Sequence, residues 1–232
     1  MKRVLYLCCI LLVLAGCNDS GPDNIYLSFM ESGPDGDNPV RMLITERYLR
    51  IEDGDGQDGF ILFDRARRTV YSVSHAARST LVVQARPVTL AMPVPFTHRR
   101  ETGKDTPPAI GGKVVTHYRF FTNDQLCFEV YAAEGFLPGA TRALNEYQEV
   151  LAGEQGAMQA RMPAAMQQAC DLADQVFLPG RALAQGFPVR QVKAGGVTRQ
   201  LTDFKLNVPL EPRLFELPPD YKTFTASGMR GS

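Results

Sequence analysis

The chain reads as an α+β protein: a curved, half-barrel-like antiparallel β-sheet with two helices packed on it. Three observations predict that class. Short runs rich in β-branched and aromatic residues recur at regular spacing, divided by Gly, Pro, Asn and Asp turns, as in an antiparallel meander. One stretch in the second half switches to apolar residues at helical spacing. Hydrophobic residues make up 44% of the chain, enough for a single buried core. The 25 Lys and Arg balance 25 Asp and Glu, so no basic excess points to nucleic acid.

The first residues predict an address. Lys2 and Arg3 precede an apolar run from Val4 to Leu14, and Leu14-Ala15-Gly16-Cys17 puts small residues directly before a cysteine. The run is shorter than the ~20 residues that span a bilayer. Leu14 also stands where an ordinary cleavage site needs a small residue. The pattern fits a bacterial lipoprotein signal over residues 1–16, with Cys17 taking the lipid and residues 17–24 forming a short tether. By resemblance to sorted bacterial lipoproteins, Asn18 in place of aspartate implies the outer membrane, periplasmic face, with the inner membrane as the alternative. The expected partner is therefore the membrane, through the N-terminal anchor.

Cys8 and Cys9 leave with the signal and Cys17 carries lipid, so Cys127 and Cys170 remain. An even pair in an oxidising compartment predicts a Cys127–Cys170 disulfide.

A single domain is expected over residues 25–224. Its first strands are placed at Ile25–Met30, Val40–Thr45, Tyr48–Glu52, Phe60–Asp64, Thr69–Ser74 and Ser79–Gln84, with Gly/Asp-rich or basic turns between them. Residues 86–112 hold Pro87, Pro93, Pro95, Pro107 and Pro108 and so cannot form a regular central strand. Strands resume at Val114–Phe121, with Val114, Thr116, Tyr118 and Phe120 opposite His117 and Arg119, and at Leu126–Tyr131. A helical insert follows at about 141–178. Its first helix runs from Arg142 to Ala152, with Thr141 as cap and Gly153 as stop. A second helix starts at Pro163 and ends before Pro179, with Met166, Ala169, Cys170, Ala173, Val176 and Phe177 on its buried stripe. Two more strands follow, Phe187–Val192 and Thr198–Val208, and residues 225–232 are expected to be a flexible tail.

The meander Phe60-Ile61-Leu62-Phe63-Asp64, Thr69-Val70-Tyr71-Ser72-Val73 and Leu81-Val82-Val83 resembles the half-barrel of lipoprotein carriers and receptors, the Lol pathway's among them. The closing Phe215-Glu216-Leu217-Pro218-Pro219-Asp220-Tyr221 is similar to the ending of that group and of related periplasmic domains. The resemblance implies a curved sheet whose concave face is filled by helices or left open for an apolar ligand.

No enzyme signature emerges, and no cofactor or metal is expected. Asp53 to Asp58 lacks glycine at the sixth position of a calcium loop. His75, His98 and His117 have no metal-ligand spacing and are expected at surface or loop positions. No Gly-x-Ser-x-Gly elbow occurs. One further candidate is a contact loop for membrane or partner, in which Leu90, Met92, Val94 and Phe96 form an apolar tip beside Arg99 and Arg100. The expected function is non-catalytic binding of lipid, an acyl chain or an envelope protein. The alternative is a structural or sensory protein-interaction module with a filled core.

Overall fold

The computed structural model describes residues 23–54 and 56–226. The expected signal, the lipidation site Cys17 and the 227–232 part of the expected tail lie outside the described residues.

Among the described residues twelve strands form one sheet: β1 (Ile25–Gly33), β2 (Gly36–Ile44), β3 (Tyr48–Asp53), β4 (Gly59–Asp64), β5 (Thr69–Ser74), β6 (Ser79–Gln84), β7 (His98–Thr102), β8 (Val115–Thr122), β9 (Gln125–Ala133), β10 (Phe187–Lys193), β11 (Thr198–Leu206) and β12 (Lys222–Thr225). Their order is β12-β6-β5-β4-β3-β2-β1-β11-β10-β9-β8-β7, so the sheet stays open and does not close into a barrel. Neighbours pair antiparallel except β12, which runs parallel to β6 and makes the sheet mixed. Thr225, expected in the tail, thus belongs to an edge strand. The proline-rich segment contributes only β7, at the other edge, where a missing N–H is tolerated.

Helix α1 (Pro138–Gln159) lies on one face and touches β5 and β6 on one side and β10 on the other. Those strands stand far apart in the sheet order, so the sheet must curl around the helix. Alternate residues of the strands supply the concave core. Ile25, Leu27 and Phe29 of β1 face Ile44, Met42 and Val40 of β2, and Phe63 and Val70 continue the layer toward α1. Ala140, Ala143 and Val150 of α1 are fully buried there, and burial of this kind stabilises by roughly 25 cal/mol per Å² of apolar surface.

α1 is longer than its apolar period suggests. Pro138 starts it, where a missing N–H costs nothing. Thr141 does not cap; its hydroxyl donates back to the Leu137 carbonyl. Gly153, expected as a stop, is buried mid-helix because the Arg86 carbonyl occupies the space a Cβ would need. The second helix is broken. A 3₁₀ turn at Ala164–Met166 is followed by extended backbone at Gln167 and Gln168. Then α2 (Ala169–Asp171) runs into a π-helical stretch, Leu172–Phe177. The Gln167 side-chain amide donates to the carbonyls of Gln159 and Met162, which competes with helix continuation. Met166 is therefore exposed, and Leu172, Ala173 and Val176 carry the burial.

The convex face is partly covered by the chain's end. Phe215, Leu217 and Tyr221 pack on Phe60, Leu62 and Val73, and Tyr48 stacks on Phe215 at 5.4 Å. Beneath this strap Glu52, 3% exposed, pairs with both Arg41 and Arg50, and Arg50 donates to the Leu214 carbonyl.

Candidate functional site

Three strand ends meet where α1 begins. Register places Ile25 between Ile44 of β2 and Leu206 of β11, all turned toward the concave side. Phe136 lies above them and meets Phe204 edge-on at 5.0 Å. Leu137 takes a left-handed conformation at the helix entry, and Gly139 follows in the first turn, where a Cβ would press on Ile25 at 3.4 Å. Between these walls lies a cavity of about 820 Å³, open at the rim of the sheet. A groove of about 420 Å³ continues from it along Thr141, Arg142 and Asn145. The concave face is thus filled along its middle by α1 and open at one end.

The rim charges are divided. Arg65 is fully engaged: its Nε donates to Glu146 at 2.7 Å, and the same guanidinium donates to the carbonyls of Thr45 and Glu46. That contact ties the β2–β3 turn to α1. Arg142 belongs to α1 and the Lys113 ammonium lies beside Gly135, just ahead of that helix, whereas Asp23 and Glu46 sit at the adjoining ends of β1 and β2. Among the described residues none of these four side chains has a hydrogen-bond or ion-pair partner.

Cys127 and Cys170 are bonded, with Cα atoms 5.2 Å apart. Pairing passes from Phe120↔Phe128 to Phe121↔Leu126, which leaves Cys127 as the bulged residue of β9, re-aimed toward α2. The bridge closes on Phe120, Phe128, Val130 and Ala182.

The expected contact loop divides. Met92 is 53% exposed and Val94 95%. Phe96 packs edge-on against Phe177 at 5.4 Å, and Leu90 lies half-buried beside Gly156 of α1. Arg99 and Arg100 are residues of β7 and turn to their own sheet. Arg99 pairs with Glu101 and lies 4.2 Å over Phe121, while Arg100 bonds Gln185 and lies over Tyr118.

His117 departs from its expected surface position, being 5% exposed within β8. Its Nε2 is 2.7 Å from Glu129, and its ring stacks on Tyr131 at 4.4 Å. Asp105 lies 3.4 Å from Nδ1 and accepts from the Tyr131 hydroxyl at 2.6 Å. Hydrogen bonding to Asp105, helped by burial, pushes the Tyr131 pKa up to about 12. Gly103 crosses the imidazole where any Cβ would strike it, and its N–H donates to the His117 carbonyl. This cluster latches the segment after β7 onto the sheet. Among the described residues no serine, threonine or cysteine hydrogen-bonds the imidazole. Among the described residues no group of three His, Cys, Asp or Glu side chains could hold a metal ion, and no helix is long and apolar enough to cross a membrane.

The sequence allows an apolar cavity on the concave face, but nothing in it marks where the cavity lies or which residues line it. Ile25, Ile44 and Leu206 read as ordinary strand residues, and only their register shows that three apolar strand ends coincide.

No protein-family model and no curated protein matches this chain. Among solved structures, it is similar to an uncharacterised conserved protein from Thermus thermophilus. That pair shares 10% identity over 88% of this chain and 91% of the other, with a TM-score of 0.44. Two crystal forms of PNGF-II are also similar, at 11% and 10% identity, with TM-scores of 0.42 and 0.45 over 88% and 90% of this chain. This chain spans about a third of PNGF-II, 31% and 33% in the two forms.

Proposed function

We propose that this is a lipid-anchored, periplasm-facing binding protein without catalytic activity, whose end cavity receives an acyl chain. The cavity carries the reading. At about 820 Å³ it falls within the ~300–1,000 Å³ typical of small-molecule sites, and its floor is made by Ile25, Ile44, Phe136, Phe204 and Leu206. Its place in the chain supports the same reading. Asp23 lies on the rim, six residues after Cys17, a span of at most ~20 Å. A lipid on Cys17 would hold the mouth beside the membrane surface from which an acyl chain could enter. The Pro-rich loop, with Met92 and Val94 exposed, would be a second contact point for membrane or envelope partner. The alternative, a protein-interaction module with a filled core, draws on the complete burial of Ala140, Ala143 and Val150.

Titration with a naturally fluorescent polyene fatty acid tests the reading. Leu206 is 54% exposed, so Leu206→Asp should leave the melting temperature within a degree or two while placing a charge on the cavity floor. Wild-type protein should bind and the variant at least about tenfold more weakly. Absence of wild-type binding, or equal binding by the variant, would overturn it.

A further inference from the structure

Resting on that reading, we infer that the cavity selects an amphiphile with a zwitterionic head, a phosphate ester carrying a primary ammonium. The rim presents both signs of charge, the cations on and beside the entry of α1 and the anions at the adjoining ends of β1 and β2. Lys113, just ahead of β8, and Arg142, in the early turns of α1, form the cationic side, while Asp23, ahead of β1, and Glu46, in the β2–β3 turn, form the anionic side. All four are exposed and unpaired among the described residues. Arg65, the fifth charged residue of the lining, is withdrawn by Glu146 and two carbonyls.

A purely anionic head would be drawn to Arg142 and Lys113 but repelled by Glu46 and Asp23. An uncharged head would leave all four in water. A head with separated charges meets both pairs, the phosphate on the guanidinium and ammonium, the amine on the carboxylates. The acyl chain then lies over Ile25 and Leu206. Arginine suits the phosphate, because its planar fork can donate two parallel hydrogen bonds.

Native mass spectrometry of the full chain, released from membranes in a mild detergent, reads the selection directly. The probes are lysophosphatidylethanolamine, lysophosphatidylglycerol and monoacylglycerol with the same lauroyl chain, added together in equal amounts. The ethanolamine lipid should be retained about tenfold over each competitor. Arg142→Gln should remove most of the retention of both phospholipids and spare monoacylglycerol. Glu46→Gln should erase only the preference for ethanolamine over glycerol. Both residues are exposed and unpaired among the described residues, so neither change threatens folding. Equal retention of the three lipids, a preference for the glycerol phospholipid, or indifference to both substitutions would overturn the head-group inference and leave the acyl cavity standing. No adduct with any of them would overturn both.

Discussion

Breaking the Cys127–Cys170 bridge should cost this protein a large share of its stability, and the structure indicates how much and where. The cysteines lie 43 residues apart. The chain-entropy relation for a closed loop of that length gives about 4 kcal/mol at 25 °C. Packing in the tethered segment cannot replace it. Neither the 3₁₀ turn at Ala164–Met166 nor α2 contains a buried residue, and in the π-helical stretch that follows only Leu172, Ala173 and Val176 are buried. For a domain of this size each kcal/mol moves the melting temperature by roughly 2–4 °C. The double variant Cys127→Ser/Cys170→Ser should therefore melt about 8–16 °C lower by calorimetry. Loosening should begin locally, so trypsin should cut after exposed Arg161 in the variant under conditions where the wild type resists. A double variant that melts within 2–3 °C of wild type, with the same tryptic pattern, would refute this reasoning.

Asp174 has its pKa raised to about 6 by burial, against the opposing pull of Arg181. Between about pH 4 and 6 the folded protein keeps a proton that the unfolded chain has lost, so stability falls as pH rises through that window. The penalty, up to about 3 kcal/mol, is complete above pH 6, and urea unfolding of Asp174→Asn should lack this part of the slope. Glu52→Ala strands Arg50 beneath the C-terminal strap and should cost about 3–5 kcal/mol by the same assay. Met92→Ser should change stability by less than about 0.5 kcal/mol. Phe96→Ser, which removes the contact with Phe177, should cost about 1–3 kcal/mol, and equal effects would show that the loop does not pack as described.

The strands were legible because each carries its own alternation and ends in its own turn residues. β5 and β6 fall where their patterns place them, and β1 to β4 differ only at their ends. The disulfide was legible for a different reason, since reading the first residues as an export signal leaves Cys127 and Cys170 with each other as partners. What failed depends on distant parts of the chain. Gly153 carries the local signature of a helix stop, yet it serves as a slot for the backbone at Arg86, sixty-seven positions earlier. His117 alternates with apolar residues and so reads as outward-facing. A segment crossing at Gly103 covers that outer face, and Glu129 with Asp105 makes burial tolerable. The second helix has the right apolar period, but the Gln167 amide offers the carbonyls at the end of α1 another partner. The cavity was the least legible feature. Its floor joins the start of β1, the end of β2, the end of β11 and the entry of α1, four places that only the register of the sheet brings together.

The most direct test of the account is chemical. Protein purified from membranes in a mild detergent should yield, on solvent extraction and mass spectrometry, about one non-covalent lipid per chain beyond any anchor. Leu206→Asp protein handled identically should yield far less. Wild-type protein that carries no more lipid than the variant would contradict the central claim that the open end of this sheet is a lipid site.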